Sequence, residues 1–169
     1  MELYFLRHGL AGQHGDPKYS DDSLRPLTEE GRKKLQRASG GMRALKLTYD
    51  AILSSPYVRA RQTAEIVAET YGMKLKDIYV TTNLLPPASA KKLLKEIYET
   101  FPKAGSVLLV GHEPHLTDMI AELLQSPRAL AIDFKKGGLC NLTIAASTGA
   151  PVATLNWLLT PGQLGLIKE

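Results

Sequence analysis

Short apolar runs alternate along the first two thirds of the chain with longer stretches in which apolar residues recur every three or four positions. That alternation predicts an α/β sheet whose early strands are largely parallel and buried. Leu3 to Leu6 reads as the first strand, Ala51 to Leu53 as the second, Ile78 to Thr82 as the third and the continuously apolar Val107 to Val110 as the fourth. The polar stretch from Gly12 to Arg25, rich in Gly, Asp, Ser and Pro, is a loop. Thr28 is then placed to cap a helix with Glu29 and Glu30 in its positive first turn, and with Gly40 and Gly41 near its end or at a break. Ser54, Ser55 and Pro56 have the form of a Ser cap and a first-turn proline, opening a helix that runs to Gly72 with the apolar stripe Ala60, Ala64, Val67 and Tyr71. A Pro86, Pro87 turn precedes a helix from Ser89 to Phe101, and Pro114 opens another that ends before Pro127.

The last third changes character. Ala129 to Phe134, Leu139 to Ala146 and Val152 to Leu158 are strand-like runs divided by Gly137, Gly138 and Gly149, which predicts an antiparallel extension of the sheet. The expected architecture is a single domain over residues 1–169, a three-layer sandwich with a largely parallel central sheet flanked by helices.

Composition narrows this picture modestly. The chain has 169 residues, 44% of them hydrophobic, enough for one sizeable core. The apolar residues Leu3 to Leu6 are followed at once by Arg7 and His8, unlike a secretory leader, and no run approaches the roughly 18 apolar residues of a membrane helix. The single Cys140 excludes an internal disulfide and leaves a zinc site to other residue types. A cytoplasmic protein is expected. The net charge of +4 and pI near 9.1 raise nucleic acid as a partner, but Lys and Arg are interspersed with Asp and Glu. Clusters such as Arg32, Lys33, Lys34 and Lys91, Lys92, Lys95 are spaced like solvated helix faces. The charge therefore suits an anionic substrate rather than nucleic acid.

In open α/β sheets ligands bind beyond the carboxyl ends of the strands. The first strand runs into Arg7, His8 and Gly9; the second leads through Ser54, Ser55 and Pro56 to Arg59; the fourth runs into Gly111, His112 and Glu113. With parallel strands, two imidazoles and two guanidiniums converge on one pocket. Guanidiniums present planar forks of donors that match phosphate oxygens. A neutral imidazole attacks phosphorus if one nitrogen is unprotonated, which requires the other to keep its proton. His8 fits that role, with Gly9 letting backbone come close beside it. His112, kept protonated by phosphate, donates to an oxygen as charge gathers. Helical spacing puts Arg59, Gln62 and Thr63 on one side and Arg61 on another. His14 and His115 read as incidental, although His115 is near enough to His112 to line the pocket. Two adjacent arginines argue against a bound metal, and no cofactor is implied.

At these residues the sequence resembles the histidine phosphatase superfamily, also called the phosphoglycerate mutase-like fold. Leu6-Arg7-His8-Gly9 is similar to its signature, with His8 in the nucleophile position. The run from Ser55 to Ala64 is similar to its second motif and assigns Arg59 to phosphate binding; Gly111-His112-Glu113-Pro114 is similar to its third. Arg25-Pro26-Leu27-Thr28 with Gly31, and Lys136-Gly137, further resemble the SixA-like phosphohistidine phosphatases. The resemblance implies His8, His112, Arg7 and Arg59 as catalytic, with Gly9 and Glu113 also contacting substrate.

Only one helix and its turns separate the third and fourth strands, so no large helical lid is expected. Mutase-type members carry a carboxylic donor after the third strand, whereas this chain reads Asn83-Leu84-Leu85-Pro86-Pro87-Ala88. Glu113 and Asp118 are the possible substitutes. The expected activity is a metal-independent phosphatase acting on phosphohistidine of a protein, such as a histidine-phosphotransfer domain. The alternatives are a phosphomonoesterase of small phosphorylated substrates and a phosphoprotein-binding module without turnover.

Overall fold

The computed structural model describes residues 1–126, 130–145 and 152–168. Its strands are β1 (Glu2–Arg7), β2 (Ala51–Ser54), β3 (Tyr79–Val80), β4 (Ser106–Gly111), β5 (Leu139–Ala145) and β6 (Val152–Leu159). Its helices are α1 (Glu29–Ala44), α2 (Val58–Thr70), α3 (Ala90–Thr100), α4 (His115–Leu123) and the short α5 (Pro161–Leu164). The sheet order is β3-β2-β4-β1-β5-β6. Its first four strands are parallel, and β5 and β6 add to it antiparallel, as the sequence pattern predicts.

The period of two along each strand divides the core into two layers. Leu3, Phe5, Leu53, Val107 and Leu109 pack with Leu93, Ile97, Leu116 and Ile120 of α3 and α4. Tyr4, Leu6, Ile52, Leu108 and Val110 face the other way, onto Ala38 and Met42 of α1, Ala60, Ala64 and Val67 of α2, and Leu164 of α5. Between β3 and β4 stand only α3 and its turns. No helix among the described residues is long and apolar enough to cross a membrane.

Four details correct or refine the sequence reading. Leu130 to Phe134 form no strand, and Ala129 lies outside the described residues. The sheet has no free position there, since β1 is already paired on both sides, by β4 and β5. Instead Phe134 is buried in the core and turns its carbonyl to Arg7. Second, β3 shrinks to two residues because Thr81 caps a 3-10 turn at Thr82–Leu84, its hydroxyl accepting from Asn83 N. Third, of the two positions open to Gly40 and Gly41 the structure has the pair near the end of α1, which runs on to Ala44 without a break. A Cβ on Gly41 would collide with the Leu164 carbonyl, so this glycine is where α5 lies against α1. Fourth, Ser55 does not cap α2, whose first turn follows Tyr57 without a side-chain cap. Ala146, Gly149 and Pro127, used above as run boundaries, lie outside the described residues.

Candidate active site

Parallel pairing brings the three strand ends to one level. Arg7 lies opposite Gly111 and Ser54 opposite Val110 in register. The chain continues the ladder one step beyond, with His8 N donating to Gly111 O at 3.0 Å and Ser55 N to Val110 O at 3.0 Å. The His8 and His112 rings consequently stand with centroids 5.1 Å apart. They line a solvent-open cavity of about 700 Å³ together with Arg7, Arg59, Arg25 and Asp22.

His8 is 5% exposed, and its Nδ1 lies 2.7 Å from the Gly9 carbonyl. A carbonyl only accepts, so Nδ1 carries the proton and Nε2 keeps its lone pair. The Arg59 Nε–H points at that lone pair from 3.3 Å. Burial, the neighbouring His112 ring and the Arg59 and Arg7 charges push the His8 pKa down to about 2, against a smaller opposing effect of the Gly9 carbonyl. The ring is thus neutral at physiological pH with one nitrogen unprotonated. A Cβ on Gly9 would displace the Leu35 side chain of α1, and the Gly9 N–H donates to Thr63 Oγ1 at 3.1 Å.

His112 is held from the other side. Its Nε2 lies 2.7 Å from Ser55 Oγ, which also accepts from Tyr57 N at 3.3 Å. The Ser55 hydroxyl can donate to Nε2 or accept from it; when it donates, the ring proton sits on Nδ1, which is buried without a partner among the described residues. Burial first, then the Arg59 charge, lowers the His112 pKa to about 3. In the free protein the ring is therefore neutral, where the sequence reading has phosphate holding it protonated. With the proton on Nδ1, that orphaned N–H is a donor without any added charge. Tyr57 packs on this ring at 4.9 Å, and the Arg59 guanidinium lies 5.0 Å from the Tyr57 ring.

The two guanidiniums are both anchored. Arg7 donates from one terminal nitrogen to the Phe134 carbonyl at 2.6 Å, and its Nε is buried without a partner among the described residues. Arg59 donates to the Asp22 carbonyl oxygen at 2.7 Å and pairs with Asp22 Oδ2 at 2.9 Å. Arg59 is buried and Thr63 behind it fully so, whereas Arg61 is exposed beside Glu65, as the helical spacing predicts.

Sequence reasoning missed Asp22 and Arg25. Arg25 is buried and donates to Asp22 Oδ1 from Nε at 3.0 Å and from a terminal nitrogen at 2.8 Å, and also to the Gly12 carbonyl at 2.7 Å. Burial raises the Asp22 carboxyl, but hydrogen bonds from His14 and Arg25 and the Arg59 charge outweigh it and hold the group below the usual carboxylate range. The available signal was Arg25 itself, an arginine ending a polar loop immediately before a capped helix. His14 belongs to this cluster, 2.9 Å from Asp22 Oδ1, and lines the cavity. His115, the first residue of α4, is buried and is not a lining residue of the cavity; Asp118 is exposed on that helix. Glu113 lines the cavity, but its two oxygens accept from Thr117 N at 3.1 Å and Thr117 Oγ1 at 2.6 Å. The arrangement brings one imidazole nitrogen with its lone pair, a second imidazole and three guanidiniums around a space that suits a tetrahedral anion.

A parallel sheet ending in two facing imidazoles and a cluster of guanidiniums has counterparts among known proteins. The sequence pattern of the histidine phosphatase superfamily (branch 1) matches residues 3–82, which hold β1 to the turn after β3. An uncharacterised protein of Picosynechococcus is 34% identical over 149 residues, covering 87% of each chain. The chain belongs to the histidine phosphatase superfamily and is a phosphatase. Within that superfamily it is SixA-like: the phosphohistidine phosphatase SixA of Escherichia coli is 26% identical over 170 residues, covering 99% of both chains. The solved structure of the protein histidine phosphatase SixA complexed with tungstate superimposes with a TM-score of 0.82 at 25% identity, over 97% of this chain and 99% of that one.

Proposed function

We propose that residues 1–169 act as one domain that hydrolyses phosphohistidine on a cytoplasmic protein, without a metal, through a covalent intermediate on His8. The observation that carries this reading is the His8 tautomer: Nδ1–H is spent on Gly9, and Nε2 keeps its lone pair, which accepts only a long 3.3 Å hydrogen bond from Arg59 Nε, beside the His112 ring. In the first step the Nε2 lone pair attacks phosphorus, the N–P bond to the substrate imidazole breaks, and that imidazole leaves with the bonding pair. In the second, water attacks the phosphorus on His8, the new N–P bond breaks, and inorganic phosphate leaves. Arg7, Arg59 and the His112 Nδ1–H stabilise the charge spread over the phosphoryl oxygens in both steps. Arg25 shares the cavity and holds Asp22. The guanidiniums supply the positive charge that a metal would otherwise bring, and they would repel one.

The substrate class follows from proton demand. An alkoxide leaving group must be protonated as it departs. Two carboxylates line the cavity, Asp22 and Glu113, and both are engaged as acceptors, the first by Arg25 and Arg59 and the second by Thr117. A phosphohistidine protonated on its other ring nitrogen needs no such donor, because its imidazole leaves neutral. The open cavity also admits a side chain projecting from another protein. The likeness to SixA points the same way.

The test is a substrate series. kcat/KM should be highest for phosphohistidine and simple phosphoramidates, lower for aryl phosphates and lowest for alkyl phosphates, with steep dependence on the leaving-group pKa among esters. Phosphoserine or sugar phosphates cleaved as fast as phosphohistidine would replace this reading with a small-molecule phosphomonoesterase. One stoichiometric phosphorylation without release would replace it with a binding module.

A further inference from the structure

A second cavity of about 630 Å³ adjoins the catalytic one and shares Arg7, Leu10 and Lys136 with it. It runs between the first half of α1, the segment before β5 and the start of α5. Four cations line it, Arg7, Lys34, Lys135 and Lys136, against the single carboxylate of Asp133. With Arg25 and Arg59 of the adjoining catalytic cavity these cations form one basic stretch across the two cavities, in a chain whose net charge is only +4.

The lysines are available to a partner. Lys34 pairs with Glu30 at 2.5 Å and Lys135 with Asp133 at 2.6 Å, but all four side chains are more than half exposed. Exposed pairs of this kind are worth little in water and exchange readily for another carboxylate. Partial burial and the Arg7, Arg25 and Arg59 charges hold the Lys136 ammonium below the ordinary lysine range, so positive charge here is under-neutralised. No aromatic side chain among the described residues lines the groove, which denies it the stacking surface that single-stranded nucleic acid uses. Its volume falls in the range of clefts that hold a ligand of several groups.

We propose that this groove is a docking site for an acidic segment next to the phosphohistidine of the protein substrate, with Lys34, Lys135 and Lys136 reading its carboxylates. The inference rests on the phosphohistidine reading above and extends it from the reacting group to its surroundings. Arg7 and Lys136 are common to both cavities, so a chain whose phosphoryl group sits on His8 has a continuous path over them into the groove. Attraction from the groove then raises the encounter rate and orients the substrate before transfer.

The test uses two chemically phosphorylated peptides of equal length, one with Asp and Glu flanking the phosphohistidine and one with neutral flanks, beside p-nitrophenyl phosphate, which is too small to reach the groove. The acidic peptide should be favoured in kcat/KM by on the order of 10-fold at low ionic strength, and the preference should fade in ~0.5 M salt, where the Debye length falls to a few ångströms. The exposed double change Lys34→Glu with Lys135→Glu should abolish the preference and leave p-nitrophenyl phosphate hydrolysis at the wild-type rate. Equal kcat/KM for the two peptides, or a preference that survives the double change, overturns the groove proposal and leaves the phosphohistidine reading standing. Failure to cleave either peptide while p-nitrophenyl phosphate is cleaved overturns the phosphohistidine reading, and the groove proposal with it.

Discussion

At the scale of single residues, the side chains of the candidate site are each tied to the scaffold by a hydrogen bond. Ser55 shows the principle. Its sequence setting, Ser before Pro at a helix start, suggests a cap, yet its hydroxyl bonds His112 Nε2 at 2.7 Å. A local pattern cannot reveal a partner 57 residues away, which is why this role was illegible while His8, His112 and Arg59, each beside a strand end, were legible. Ser55→Ala should leave the fold intact and lower turnover by about 10-fold or more, since the His112 ring is no longer held. The check is kcat on an aryl phosphate with circular dichroism as the folding control. Arg59→Ala should cost on the order of 10²-fold in turnover, because a preorganised donor to the transferring group is lost. Arg61→Ala, on the exposed face, should stay near the wild-type rate; the reverse result would refute the placement of Arg59 at the phosphoryl group.

At the scale of elements, the pattern of apolar positions was sufficient for β1, β2 and β4, which are buried along most of both faces, whereas the edge strand β3, with one half-buried and one exposed residue, is shorter than its apolar run predicts. The pattern failed where tertiary contact decided the outcome. The apolar residues of Leu130 to Phe134 imitate a strand but only fill the core, and α5 is too short to show a helical period. Gly40 and Gly41 lie near the end of α1, one of the two positions the sequence allowed, and do not break it. They differ sharply in surroundings: a Cβ on Gly40 meets nothing within 4 Å, whereas one on Gly41 meets the Leu164 backbone. Gly40→Ala should therefore stabilise the protein by roughly 0.5–1 kcal/mol through helix propensity. Gly41→Ala should destabilise it by about 1–3 kcal/mol by forcing α5 off α1. Urea denaturation of the two variants distinguishes them; similar effects would mean that α5 does not pack as described.

At the scale of the whole molecule, the fold holds neutral imidazoles among positive charges, and stability should record this. The His8 and His112 pKa values of about 2 and about 3 lie below the unfolded value near 6.5, so the unfolded chain binds more protons as pH falls. Their full contribution is present above pH 6.5 and is lost progressively below it. At pH 5 the loss is about 2 kcal/mol for one such histidine. The two rings share a pocket, so their losses need not add. Asp22 works the opposite way in charge but keeps its contribution at pH 5, because its carboxyl is held below the usual range. Denaturation at pH 7 and pH 5 should show this drop in the wild type and a smaller one when His8→Asn and His112→Asn are combined. A stability unchanged between the two pH values would mean that the rings are not buried neutral.

The same placement of His8, with Nδ1 bound to Gly9 and Nε2 facing the guanidiniums, makes a claim about the reaction that can be tested on the protein itself. Turnover of a radiolabelled phosphoramidate, quenched within milliseconds and mapped by peptide, should show acid-labile, alkali-stable phosphate on the peptide that carries His8. The label should form and decay at rates consistent with kcat, with chelator present throughout. Phosphate on any other residue, steady turnover by His8→Ala, or activity that a chelator abolishes and a divalent ion restores would contradict the account.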